Sequence, residues 1–260
     1  MAAPRAVRPD AAVDRLLRRF RGPGWALIPV ASIVGVIFAI RCASGTATWL
    51  TYLALVAVPI LGAIALGWAN RGARPYLLGL AVPLFILAWR TPTSLAGEAA
   101  GSILSALSCV TLGVLLGAVT PSRWLKLGIL AMSVADVWLV SSDLLQHPNS
   151  VLVAAAPGGG LPQLQSETFG TINMGYGDMF VAGLLGAVYA HDRRLQLTAA
   201  GLTLIYAALF DLLFLLVSEL PATVPVALAL ITVEVGLAVR STERRRSTAG
   251  PPRAAPESGG

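Results

Sequence analysis

Long apolar runs separated by short polar breaks dominate this chain, and their lengths govern how the rest is read. Eight segments meet or approach the roughly 20 apolar residues that a helix needs to cross a bilayer. They are Trp25–Ile40, Trp49–Ala69, Pro75–Trp89, Ala99–Thr120, Trp124–Leu145, Thr171–Ala190, Leu195–Val217 and Pro221–Val239. Before them, Met1–Gly24 is a basic tail with an amphipathic patch at Val13–Phe20. After them, Ser241–Gly260 is rich in Pro, Gly, Ser and charge and reads as disorder. The connections are short except Gln146–Gly170, which carries Pro148, Pro157, Gly158–Gly160 and Pro162. Its apolar run Val151–Ala156 is a candidate strand or re-entrant element. The pattern predicts an all-α, polytopic transmembrane helical bundle without internal repeats. Residues 1–24 form one tail, 25–240 a single helical membrane domain and 241–260 a second tail.

Composition agrees. The 260 residues are 56% hydrophobic and 12% charged, with a mean hydropathy of +0.74, too little charge to coat a soluble domain of this length. A net charge of +6 suggests nucleic acid until its placement is considered. Basic residues cluster in the N-terminal tail (Arg5 to Arg21), at Arg71/Arg74, Arg123/Lys126 and Arg193/Arg194, and at Arg240–Arg246. Those clusters fall on every second connection, and the intervening ones hold only Arg41 and Arg90. By the positive-inside rule, the chain is a multi-pass cell-membrane protein with both termini cytoplasmic. Its basic surface then meets the lipid bilayer rather than nucleic acid. The Arg-rich start resembles the basic end of a signal peptide, but its length and the spans that follow favour a retained first helix. Cys42 and Cys109 are too few and too distant for a disulfide framework, and His147 and His191 fall on opposite sides of the membrane. No metal or soluble cofactor is implied.

The candidate chemistry lies in two aspartates within apolar segments. Asp136 is in Trp124–Leu145, and Asp178 closes a Gly175-Tyr176-Gly177-Asp178 run in the next segment. An ionisable group at mid-bilayer costs roughly 2.5–3.5 kcal/mol on insertion scales, which makes it a functional candidate by default. Counted from the shared outer connection, the two depths differ by only about 3 Å at helical rise. The segments are antiparallel neighbours, so the carboxyls can face one another. Two carboxyls sharing one proton can do general-base and general-acid work in one step, one activating water and the other polarising a carbonyl. Ala182, Gly183, Gly186 and Ala187 give a low-profile face for close helix packing. Gly175 and Gly177 are expected to allow unusual dihedrals and to leave room for an extended substrate.

Other readings stay open. A Gly-x-Gly-Asp pattern also occurs at ordinary turns, and a buried Asp can bond to Ser133 or Ser141 nearby. Asp143, Asp211, Glu219 and Glu234 also lie in or near apolar segments, as a proton- or cation-coupled transporter would require.

The order Asp136-Val137-Trp138, Gly175-Tyr176-Gly177-Asp178 and Leu220-Pro221-Ala222 resembles the presenilin and signal peptide peptidase family. That family carries YD, GxGD and PAL motifs in this order, with one plain helix before the last, here Leu195–Val217. The continuation Met179-Phe180-Val181-Ala182-Gly183 is similar to signal peptide peptidases, whereas type IV prepilin peptidases usually continue with polar or basic residues. The resemblance covers Trp124–Val239, and it departs from the pattern at Ala135 (Tyr in the family), at Thr223 (Leu) and in showing eight spans rather than nine. It implies an intramembrane aspartyl protease with Asp136 and Asp178 as the dyad and transmembrane peptides as substrates. Gly175, Tyr176, Gly177, Pro221, Ala222 and Thr223 would hold the substrate strand. The same resemblance leaves a catalytically inactive homologue as an alternative. The charge pattern sends the Asp136 helix outward and the Asp178 helix inward, similar to signal peptide peptidases. Single-span segments with cytoplasmic N-termini are the expected substrates. A water path past Asp143, Ser141 or Ser142 is the expected route to the site.

Overall fold

A computed structural model describes residues 19–43, 45–142, 144, 146–169, 172–215 and 220–248. Helix dominates them, as apolar runs require, because backbone amides kept from water must bond within their own segment. Helix α1 (Ile28–Cys42) is entered through a 3-10 turn at Pro23–Leu27, and α2 (Gly45–Ile64) ends in a π turn at Ala65–Ala69. A second 3-10 turn, Pro75–Leu80, leads into α3 (Ala81–Arg90). Then come α4 (Leu95–Val119), α5 (Ser122–Ser141) and the short α6 (Gln146–Ala154). A hairpin of β1 (Ser166–Phe169) and β2 (Ile172–Gly175) runs straight into α7 (Tyr176–Val188). Helices α8 (Arg193–Asp211) and α9 (Val224–Thr248) complete the described chain.

Among the described residues, five helical stretches are long and apolar enough to cross a membrane: Pro23–Cys42, Gly45–Ala69, Leu95–Val119, Ser122–Ser141 and Val224–Glu243. Pro75–Arg90 and Tyr176–Val188 are shorter apolar helices. Phe38, Trp49, Val134 and Leu204 all stand mostly exposed on the outside of the bundle, a surface suited to hydrocarbon rather than water.

Helices α5, α7 and α9 share one core, in which Ile129 and Met132 meet Val181, Leu184 and Val188 and also Ala229, Leu230 and Val233. Helix α4 closes against the other side of α7 at a backbone-to-backbone contact. A Cβ on Gly113 would fall 2.6 Å from the Gly183 carbonyl oxygen, and one on Gly183 would fall 2.7 Å from that of Cys109. The small-residue face expected after Asp178 is therefore used, and α4 is the helix that uses it. A second core joins Val58, Ala81, Leu104 and Leu164, the last coming from the segment ahead of β1. That segment is tied to α2 by Thr51, whose hydroxyl donates to the Ala155 carbonyl at 2.9 Å.

Three expectations change. The run Val151–Ala156 is no strand, since α6 stays helical to Ala154. The Asp178 segment is not helical from its start. Residues Ile172–Gly175 pair antiparallel with Ser166–Phe169, Gly175 opposite Ser166, so their backbone groups find partners without a helix. Lastly, Ser241–Thr248 is not a disordered tail but the last two turns of α9, with the Ser241 and Thr242 hydroxyls both bonded to the Ala238 carbonyl. Residues 1–18 and 249–260 fall outside the described residues, and so does most of the Val13–Phe20 patch.

Candidate active site

Asp136 lies five residues before Ser141, the last residue of α5. Asp178 sits in the first turn of α7, three residues after the extended Gly175. Helices α5 and α7 pack directly, which brings the carboxyls near enough for Asp178 to feel Asp136 as a like charge. Both residues are half-buried, and no Lys or Arg among the described residues pairs with either.

Neither glycine is used for a left-handed dihedral, and only Gly175 is short of room for a side chain. Gly175 has ordinary extended geometry (φ −71°, ψ 146°), and among the described residues positive φ occurs only at Gly72, Gly159 and Gly160. A Cβ on Gly175 would lie 3.3 Å from Asp178 Oδ2, and the Gly175 backbone hydrogen-bonds the same carboxyl. A Cβ on Gly177 would touch Ile33 of α1 at 3.6 Å. Tyr176 turns to the wall of the site, where its hydroxyl shares a 2.7 Å hydrogen bond with Ser108 of α4.

The Pro221–Thr223 stretch immediately precedes α9. Pro221 does not open that helix, which begins at Val224, and its carbonyl accepts from the Val224 amide at 3.3 Å. Pro221 is half-buried and Ala222 exposed, while Thr223 is 1% exposed. Thr223 reaches Asp136 twice. Its amide donates to Asp136 Oδ2 at 3.1 Å and its hydroxyl to the same oxygen at 2.6 Å. Ser133 of α5 closes the loop by donating to the Thr223 carbonyl at 3.0 Å. Neither nearby serine bonds to Asp136, since Ser141 donates to the Trp138 carbonyl. Asp136, Asp178, Gly175 and Thr223 thus come together, with Tyr176 and Gly177 fixing the start of α7 beside them.

The remaining membrane acids have other surroundings. Glu234 of α9 pairs with Lys126 of α5 at 2.7 Å and accepts from the Tyr189 hydroxyl at 2.6 Å. Asp211 is exposed at the end of α8. Asp143 and Glu219 fall outside the described residues, so the water path past Asp143 does too. Among the described residues, no group of three or more His, Cys, Asp or Glu is placed to hold a metal ion.

Sequence reasoning passed over Ser108 and the Lys126–Glu234–Tyr189 cluster. A signal for the first was available. Ser105, Ser108 and Thr111 recur every three residues in a mostly apolar helix and are all fully buried, the spacing of one helical face. No protein-family model, curated protein or solved structure significantly matches this chain.

Proposed function

We propose that this chain is an intramembrane aspartyl protease that cleaves single-span or signal-peptide segments within the bilayer. One observation carries the reading: two carboxyls on packed, apolar helices lie close enough to interact electrostatically, with no basic partner among the described residues. Nothing in a helix–helix contact requires two carboxyls there, and aspartyl proteolysis requires two that share one proton. Water attacks the scissile carbonyl carbon as one carboxylate takes its proton and the protonated partner donates to the carbonyl oxygen. Collapse of the gem-diol breaks the C–N bond, and the proton held by the base passes to the leaving nitrogen.

The substrate helix must first unwind, because its peptide bonds are hidden in its own hydrogen bonds. The hairpin supports this step. Among the described residues β2 pairs with β1 alone, and it ends three residues before Asp178. A strand added to β2 would lead a peptide bond toward the dyad. On this reading the eight apolar segments all span, both termini are cytoplasmic, α5 runs outward and α7 inward. Cleavage then falls in the outer half of the bilayer, on substrates with cytoplasmic N-termini. A reporter fused within Gln146–Gly170 should map outside the cytoplasm, and a cytoplasmic signal there would refute the polarity.

The coupled-transport alternative is less favoured at two of its four acids, because Glu234 is engaged by Lys126 and Tyr189 and Asp211 stands at an exposed helix end. The direct test is cleavage of a synthetic signal-peptide substrate by the full chain in liposomes. Asp136→Asn and Asp178→Asn should each abolish cleavage while leaving membrane insertion intact. Cleavage retained in both variants would end the proposal. An intact wild-type chain that cleaves nothing would point to the inactive homologue.

A further inference from the structure

We propose that Thr223 is the positioning residue of Asp136, fixing it as the base of the dyad instead of serving as a contact for substrate. This rests on the proteolytic reading and assigns roles within it. Both hydrogen bonds from Thr223 end on one oxygen, Asp136 Oδ2, the amide at 3.1 Å and the hydroxyl at 2.6 Å. A carboxylate oxygen with two donors has no lone pair left to carry a proton. Asp178, by contrast, has one donor among the described residues, the Gly175 backbone. Two donors against one place the negative charge on Asp136 and leave the shared proton with Asp178.

Thr223 is itself held. It is 1% exposed, and its carbonyl accepts from Ser133 of α5 at 3.0 Å and from the Ala227 amide of α9 at 3.2 Å, which fixes the backbone that carries both donors to Asp136. A side chain this enclosed is poorly placed to meet a peptide entering from lipid. The position before Asp136 is Ala135, which has no side-chain donor, so the hydroxyl that reaches the carboxyl comes from the other departure from the family pattern. Among the described residues, the other charges on the elements around α5 are elsewhere. Arg41 of α1 bonds the Leu144 carbonyl, and Lys126 and Glu234 pair with each other ten residues along α5, about 15 Å away at helical rise. Arg240 and Glu243 lie further along α9.

The cycle then balances. Asp136 Oδ1 takes the proton of the attacking water, and Asp178 gives its proton to the carbonyl oxygen. As the C–N bond breaks, the nitrogen takes the proton from Asp136 and Asp178 recovers one from the gem-diol, so both return to their starting states.

The test compares Thr223→Val and Thr223→Ser in the full chain, in liposomes, with a fluorogenic single-span signal peptide as probe. Valine keeps the shape and the amide but removes the hydroxyl, while serine restores it. Thr223→Val should lower kcat about tenfold to hundredfold, the size expected for losing one hydrogen bond to a charged group, with KM unchanged. Thr223→Ser should keep the wild-type kcat. A rise in KM alone, a wild-type kcat in the valine variant, or a serine variant as slow as the valine one would each overturn the assignment. A second arm needs no activity. The infrared carboxyl bands of Asp136, isolated as the difference between Asp178→Asn and the Asp136→Asn/Asp178→Asn double variant, should shift with Thr223→Val and not with Thr223→Ser. Unshifted bands would overturn the bond itself. A wild-type chain that cleaves nothing would remove the protease reading and the base role with it, while the infrared arm still decides whether Thr223 holds Asp136.

Discussion

Helices α5, α7 and the chain around α9 meet at two acidic nodes, and only one of them contains a cation. At the first, Glu234 lies against Lys126, with the Tyr189 hydroxyl on the same carboxylate oxygen and the lysine 5.9 Å from the Tyr189 ring centroid. At the second, ten residues along α5, Asp136 and Asp178 are set near one another, and among the described residues only neutral donors from Thr223 and Gly175 reach them. The elements are shared and the residue types are similar, yet the outcomes are opposite. A neutralised acid joins helices. An acid beside another acid, supplied with hydroxyl and amide donors, keeps its proton chemistry available.

The sharpest way to break this contrast is to remove one charge from each node. Asp178→Asn should reduce the cleavage rate by about 10²–10⁴-fold or more, the range of a general acid or base. Glu234→Gln should leave cleavage of the same peptide nearly intact. Equal losses at both nodes would erase the distinction. A smaller effect should follow from moving α7 bodily. Gly113→Ala or Gly183→Ala puts a methyl against backbone carbonyls at 2.6–2.7 Å, and overpacking of this kind costs about 1–3 kcal/mol. Thermal unfolding in detergent should report that loss, with cleavage falling alongside because α7 carries Asp178. The least effect belongs to Lys126→Met. Its pair with Glu234 is about a third exposed on each side, and such pairs contribute about 0.2–1 kcal/mol. Stability should drop slightly and cleavage should persist, while loss of cleavage would tie the cation to the chemistry after all.

The two nodes were unequally legible. Asp136 and Asp178 stand out in sequence because each interrupts an apolar run, and their similar depth follows from counting residues from a shared connection. Glu234 looks the same by that criterion, and nothing local distinguishes it. Its neutralising partner Lys126 is on another helix, in a cluster that reads as a loop charge. Thr223 likewise reads as a flaw in a substrate-holding motif, since its partner is 87 residues away. The hairpin escaped for a different reason. Ile172–Gly175 is a four-residue stretch continuous with a helix, and periodicity cannot separate so short a strand from a first helical turn. The end of α9 escaped because Ser241–Thr248 has the composition of a tail.

Sequence alone determined that this chain is a bundle of apolar helices, because a backbone surrounded by hydrocarbon has almost no alternative. It also determined which acids interrupt those helices. The tertiary structure decided which acids are neutralised, which hydroxyl reaches which carboxylate, and where β2 gives way to α7. Each of those outcomes depends on contacts between residues far apart in the chain, and the strength of a charge or a hydrogen bond is set by the partner and surroundings that only packing supplies.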